Sequence, residues 1–159
     1  MFTPHDVQQV LTFLDAMEAR DLALAQRCLA EHVVMQFPGA PAMHQLDDLV
    51  AWARQRYRRV SKTFHDVNHC LTPRQSIVVC HGELAVEWLD GSTSDSVRFI
   101  DRFELTDGLI TRQDVWNDLA LAQPAPPHDE TAMTRQHNVS HQASSPLGAP
   151  ASPTETALE

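Results

Sequence analysis

The sequence predicts an α+β fold, in which helices come first and an antiparallel sheet follows. Apolar residues recur at helical spacing in the first 60 residues, whereas from about residue 64 they alternate with polar residues, as in half-buried strands. Asp-Gly pairs then separate the alternating segments where hairpin turns are expected. Helices followed by a meander of strands are typical of the α+β class.

Three helices are predicted in the N-terminal part. The first covers 6–20, with Thr3 or Asp6 as its cap, the second covers about 22–30, and the third covers 46–60. Between the second and third, the segment 32–39 indicates a strand that Pro38-Gly39 ends. The apolar stripe of the third helix contains Leu49, Val50, Ala53, Tyr57 and Val60.

Four strands are predicted after the helices, at 64–71, 77–89, 96–106 and 109–117, with turns at Pro73, Asp90-Gly91 and Asp107-Gly108. In 77–89 the more apolar face carries the even-numbered residues from Val78 to Trp88, so Glu83 and Glu87 are expected on the opposite face. In 109–117 one face is expected to hold Thr111, Gln113 and Val115, and the other Ile110, Arg112, Asp114 and Trp116.

The chain divides into a folded domain, 1–121, and a tail, 122–159. The tail holds six of the ten prolines and no Phe, Trp, Tyr or Ile, so it cannot bury enough apolar surface to offset its ordering entropy, and we predict that it is disordered.

The composition of the chain argues against some classes of binding partner. With 21 acidic and 12 basic residues the net charge is −9, which argues against nucleic acid or an anionic membrane surface. Three cysteines without CxxC spacing indicate no disulfide framework. Because no secretory signal and no bilayer-spanning apolar run is visible, a cytoplasmic location is expected.

The stretch 97–105, VRFIDRFEL, places a carboxylate on the apolar face of a strand. With period two, Asp101 shares its face with Phe99 and Phe103. Burying an unpaired carboxylate is very costly, so Asp101 must be neutral, paired, or in a polar cavity. The functional interpretation is a pocket acid that protonates or hydrogen-bonds a carbonyl or leaving oxygen. The structural alternative is a pair with an arginine or with helix-end amides.

The order of elements, together with FLDAMEARDL on the first helix and IDRFELTDGLI at the last hairpin, resembles the SnoaL-like group of the nuclear transport factor 2 and ketosteroid isomerase superfamily. The resemblance covers about residues 4–120. It implies a cone-shaped, curved antiparallel sheet packed against three N-terminal helices, with a deep apolar pocket and often a homodimer through the sheet. The same fold hosts isomerases, cyclases, dehydratases, epoxide hydrolases and non-catalytic binders.

Two enzyme patterns of this superfamily fit the sequence poorly. Asp101 matches the aspartate that donates to the substrate oxyanion in ketosteroid isomerases, but Phe13 stands where their tyrosine is expected and Gln36 or its neighbour where their base is expected. The epoxide hydrolase pattern of an Arg-x-Asp pair and a further aspartate falls on Gly82, Leu84 and Val115, so that chemistry is not expected.

A third pattern fits better. Residues 63–68, TFHDVN, match a T-x-H-x-x-N strand start of dehydratase-like members, which implies His65 as a general acid/base. Its carboxylate partner is expected to be Asp101, or else Asp15 or Glu18 on the first helix. His65 and His69 lie about 13 Å apart along a strand, too far to share a metal.

These observations lead to two hypotheses. The first is a cofactor-independent enzyme acting on a small, apolar, carbonyl-bearing substrate by cyclisation, isomerisation or dehydration, with Asp101 as acid or oxyanion partner and His65 as base. The second is a non-catalytic small-molecule-binding or dimerisation module. No Gly-rich phosphate loop is visible, and neither a cofactor nor a metal is expected. The substrate-binding candidates are Gln113, Tyr57, Trp52, Phe37, Gln36, Phe99, Phe103 and Val115. The basic residues 54, 56, 58, 59 and 62 are expected to form a solvated face.

Overall fold

The computed structural model of the protein describes residues 4–125. The helices are α1 (His5–Ala19), α2 (Leu22–Arg27), α3 (Leu46–Arg54) and α4 (Leu119–Ala122). The strands are β1 (Leu29–Gln36), β2 (Tyr57–Leu71), β3 (Ser76–Trp88), β4 (Thr93–Thr106) and β5 (Leu109–Asn117). The predicted tail lies outside the described residues from 126 onward, so its disorder and the domain boundary at 121 stay predictions. Within 4–125, no helix is long and apolar enough to cross a bilayer.

The strands form one curved five-stranded sheet in the order β1-β5-β4-β3-β2. β1 runs parallel to β5, and the other neighbours pair antiparallel. Helices α1 and α3 cover one face, where Val10 and Phe13 of α1 and Leu49 of α3 join Val78 and Phe103 of the sheet in the main core. The predicted α+β class is therefore confirmed. A two-residue loop, Asp107-Gly108, joins β4 to β5 with both φ angles positive, as a type I′ turn requires.

The third helix ends six residues earlier than the sequence predicts. Tyr57 and Val60, which looked like its apolar face, instead lie in β2 opposite Trp88 and Val86 of β3. The pairing skips Arg58, so β2 bulges there and two apolar residues three apart both face the core. The apolar residues of a bulged strand can thus have the same spacing in the sequence as those on one face of a helix.

The end of α1 holds this bulge in place. The Arg58 carbonyl, at the extra residue, accepts a hydrogen bond of 2.9 Å from the guanidinium of Arg20. Two residues before Arg20, the Glu18 carboxylate accepts one of 3.3 Å from the backbone N–H of Lys62. Because β2 is an edge strand, these bonds give partners to backbone groups that no further strand pairs.

The predicted faces of the sheet are mostly confirmed. In β3 the residues Val78, Cys80, Leu84, Val86 and Trp88 are all buried. In β5, Gln113 and Val115 are buried as expected, whereas Trp116 is exposed. Ile110 differs: the β4–β5 register shifts between Glu104 and Leu105, which turns Ile110 into the core opposite Leu105.

A second bulge in β2, at His65, brings its backbone against Gly82 of β3. A Cβ atom added at Gly82 would lie 1.9 Å from the carbonyl oxygen of Thr63. This position therefore requires glycine because the two backbones approach too closely for any side chain.

We predict that Gly82→Ala lowers the free energy of unfolding by about 3 kcal/mol, because the β2 backbone must move to accommodate the new methyl group. Urea denaturation followed by far-UV circular dichroism measures the loss. Gly39→Ala is the control, since its added Cβ meets no atom within 4 Å and only the strain of its positive φ, about 1 kcal/mol, is expected. Equal losses in the two variants would contradict the close approach.

Candidate functional site

A cavity of about 140 Å³ lies between α1, α3, the start of β2 and β5. Most of its wall is apolar and includes Phe13, Leu14, Phe37, Leu49 and Val60. Charged and polar residues also line it: Glu18, Arg20, Tyr57, Arg59, Lys62 and Gln113. An apolar concavity with a few polar groups is the usual form of a small-molecule site.

The central polar feature of this cavity is an ion pair between Lys62 and Asp101. The Lys62 ammonium donates a hydrogen bond to Oδ2 of Asp101, whose side chain is completely buried, whereas 21% of the Lys62 side chain remains exposed. The ammonium also lies 4.3 Å from the centre of the Phe99 ring, a favourable cation–π distance. Lys62 lines the cavity and the carboxylate lies behind it, so a ligand meets the amine first.

This pair changes two expectations from the sequence. Asp101 is paired, but with a lysine rather than with an arginine or helix-end amides. Lys62 was expected on a solvated basic face because four arginines precede it, and that expectation is wrong: it lies on the inner face of β2, between Val60 and Phe64. Lys62 alternates with Val60 and Phe64 on this face, but alternation counted from Tyr57 would place it on the opposite face, because the bulge at Arg58 shifts the period. A further signal was present, since Lys62 is the only lysine in the chain.

Two buried oxygen atoms beside this pair have no hydrogen-bond partner among the described residues: Oδ1 of Asp101 and Oε1 of Gln113. Asp101 stands opposite Val115, and Gln113 is two residues further along the same face of β5, so the two are diagonal neighbours on the sheet. Buried acceptors normally have a donor. Of these two residues only Gln113 lines the cavity, so its Oε1 is the acceptor suited to a ligand hydroxyl or N–H group.

The neighbouring thiol and phenol are held neutral. Burial raises the pKa of the Cys80 thiol to about 12, and the Asp101 charge adds to that rise; its Sγ donates to the Asp101 backbone carbonyl at 3.8 Å. Burial likewise raises the pKa of Tyr57. At neutral pH Cys80 is consequently a packing residue, whereas Tyr57 is a phenol able to donate a hydrogen bond within the cavity.

The structure does not bring His65 and Asp101 together. His65 lines a separate recess with His81, Ile100 and Trp116, and its ring centre lies 6.2 Å from that of His81. Ile100 precedes Asp101 in β4 and therefore points to the opposite face of the sheet. A mechanism in which His65 and Asp101 act on one substrate thus has no geometric support.

The other candidates divide between the cavity and the surrounding core. Tyr57, Phe37 and Gln113 line the cavity. Trp52 packs against Phe37 at 5.4 Å between ring centres, and Phe103 against Phe13 at 6.1 Å. The Gln36 amide donates to the Ala40 carbonyl at 2.8 Å, which closes a loop, and Val115 is buried beside Asp101. Within the described residues, no cluster of His, Cys, Asp and Glu side chains could hold a metal ion.

Residues 10–113 match the SnoaL-like domain family, and the protein belongs to that family. No curated protein matches the sequence.

Solved structures share the fold at low sequence identity. A protein from a Jannaschia species, provisionally assigned as a SnoaL-like polyketide cyclase, is 20% identical with a TM-score of 0.64, and the match covers 80% of this chain and 99% of that one. TerC, co-crystallised with polyporic acid, is 14% identical with a TM-score of 0.63, covering 74% and 95%. An epoxide hydrolase of M. tuberculosis, similar to limonene epoxide hydrolase, is 16% identical with a TM-score of 0.58, covering 74% and 86%.

We predict that Lys62→Met lowers the free energy of unfolding by about 3 kcal/mol or more, because it leaves the buried Asp101 carboxylate without its cation. Adding Asp101→Leu to Lys62→Met removes the stranded charge and is expected to restore most of the loss. Urea titration of the single and double variants measures both effects.

Arg98→Met is the matched control, since it removes the cation of an exposed pair, Arg98–Asp118 at 2.7 Å, for which a loss below about 1 kcal/mol is expected. A Lys62→Met loss no larger than that of Arg98→Met would contradict the buried ion pair.

Proposed function

We propose that the cavity is the active site of a cofactor-independent enzyme that performs proton-transfer chemistry on a small, largely apolar, carbonyl-bearing substrate. Isomerisation, cyclisation and dehydration are the reactions of this kind. The observation that carries the proposal is the Lys62–Asp101 pair, which presents a cation to a cavity whose wall is mostly apolar.

In the proposed mechanism, Lys62 donates a hydrogen bond to the substrate carbonyl oxygen. As a proton leaves the adjacent carbon, negative charge develops on that oxygen, and a fixed ammonium in a water-poor site stabilises it. Asp101 is a positioning residue here: it acts through Lys62, whose ammonium it anchors. Asp101 thus lies on the side of the substrate oxyanion, as the sequence predicts, but Lys62 makes the contact with the substrate.

The base in this mechanism is Glu18 rather than His65. Glu18 lines the cavity and is held near the pair by its hydrogen bond to the backbone N–H of Lys62. The neutral Tyr57 phenol and the Gln113 amide orient the substrate, and Arg20 suits a polar end of the molecule. Co-crystallisation of TerC with polyporic acid supports the general use of this fold for small molecules.

Exchange of α-hydrogens for deuterium in 2-tetralone tests the proposal, because this apolar ketone exchanges through an enolate. In D₂O, followed by NMR, the protein is expected to accelerate exchange, and Lys62→Met and Glu18→Gln each to reduce the acceleration by about 100-fold or more. His65→Gln is expected to leave it unchanged. Absence of acceleration, with the ketone shown to bind, would leave only a binding module.

A non-catalytic dimerisation module is the second proposal, and the outer face of the sheet favours it. His65, His81, Ile100 and Trp116 form a row across four strands, and the side chains of Ile100 and Trp116 are 47% and 55% exposed. Charged pairs flank this row: Arg98 with Asp118, Arg102 with Glu104, and Arg112 with Asp114. Although the chain carries −9 overall, each of these three pairs is neutral, so they add no net repulsion when a second copy approaches.

We predict that the protein sediments as a dimer and that Trp116→Glu converts it to a monomer, because the new carboxylate would be buried in the interface. Analytical ultracentrifugation measures the change. Leu71→Glu, which adds the same charge to a 73% exposed leucine outside this row, is the control and is expected to remain dimeric. A monomeric wild-type protein would refute the dimer.

A further inference from the structure

We infer that Lys62 forms a covalent imine with the carbonyl carbon of an aldehyde or ketone substrate. This inference rests on the proposed function and deepens it, since it names the atom attacked: a covalent bond from Lys62 to the carbonyl carbon takes the place of the hydrogen bond from its ammonium to the carbonyl oxygen. Three observations carry it: the identity of the residue, its surroundings, and the unpartnered carboxylate oxygen beside it.

The presence of lysine rather than arginine at position 62 indicates that the amine itself is used, and not only its positive charge. The chain contains 12 basic residues, and 11 of them are arginine, four of these within the eight residues before Lys62. Arginine binds a buried carboxylate better than lysine does, because its planar fork engages both oxygens. Here the one lysine engages only Oδ2, and Oδ1 has no hydrogen-bond partner among residues 4–125. Lysine is thus the weaker ion-pair partner for Asp101, but unlike arginine it has a nucleophilic nitrogen.

The surroundings leave the nitrogen open toward the cavity. The Asp101 carboxylate and the Phe99 ring, 4.3 Å away, lie against it, and Lys62 itself lines the cavity wall. Lysine becomes an effective nucleophile once its nitrogen has lost a proton. Asp101 is the group in contact with the ammonium that can take this proton when a substrate carbonyl approaches.

Formation and hydrolysis of this imine need no oxidant, reductant or cofactor. The ammonium gives a proton to Asp101, the amine nitrogen attacks the carbonyl carbon, and an internal proton shift gives the carbinolamine. Asp101 then returns its proton to the hydroxyl group, water leaves, and a cationic imine remains next to the regenerated carboxylate. The imine attracts electrons from the α-carbon more strongly than the ketone does, so Glu18 removes the α-proton more readily. Hydrolysis by the reverse steps releases the product and restores Lys62.

Reductive trapping tests the inference, because Lys62 supplies the only side-chain primary amine. The full chain is incubated with 2-tetralone and sodium cyanoborohydride, and the modified residue is located by tryptic mass mapping. A tetralyl group on Lys62 blocks cleavage there and yields the peptide 60–74. We expect Lys62 to be labelled at least about tenfold faster than an exposed lysine.

The exposed lysine comes from a matched control, Lys62→Arg combined with Arg74→Lys, which keeps the number of lysines but moves the amine to an exposed turn. Asp101→Asn is expected to slow labelling of Lys62, since the proton carrier is lost. Circular dichroism confirms that each variant is folded before it is labelled.

The Lys62→Arg variant separates this inference from the proposed function. Arginine retains the positive charge but cannot form an imine, so α-hydrogen exchange is expected to fall to the level of the uncatalysed reaction. If Lys62→Arg still accelerates exchange and the wild-type protein is not trapped, the imine is refuted while proton-transfer catalysis stands. If the wild-type protein shows neither trapping nor exchange, both are refuted.

Discussion

The Lys62–Asp101 ion pair constrains the whole inner face of the sheet, because its two members stand on strands that are not neighbours. Lys62 pairs with Leu84 and Asp101 with Cys80, so β3 lies between them and their positions on it are four residues apart. In a flat sheet their Cα atoms would be separated by roughly 16 Å, farther than the two side chains can span. The contact therefore depends on the twist and curvature of the sheet.

Several features of the sheet provide that curvature. The bulges at Arg58 and His65 bend β2, and the second requires a glycine on the facing strand. Because Gly82 has no side chain, Phe64 and Phe99 meet across it, with ring centres 5.9 Å apart, and Phe99 in turn forms one side of the ammonium site. The geometry of one charged pair thus links backbone approach, aromatic packing and the shape of the cavity.

The sequence was sufficient for the fold and for the position of Asp101, but not for its partner. Alternation in β3, β4 and β5 is regular, and Asp-Gly turns fix where those strands begin and end, so the buried faces could be predicted. β2 is an irregular edge strand, and its bulges break the period of two where Tyr57, Val60 and Lys62 enter the core. The spacing of apolar residues in the sequence therefore predicts a helix for Tyr57 and Val60 and a solvent-exposed face for Lys62. His65 was paired with Asp101 through a motif, which carries no information about the face of the sheet.

The bulge at Arg58 also determines how this cavity can change size. Pairing from Val60 onward is fixed by β3, so loss of one residue at the bulge would leave Lys62 in place, restore regular alternation with Tyr57 still facing the core, and draw the end of α3 one residue closer to the sheet. The cavity wall formed by Tyr57 and the end of α3 would then move, while the ion pair would stay. In this architecture, single-residue insertions and deletions at this bulge would change the size of the cavity and leave the ion pair in place.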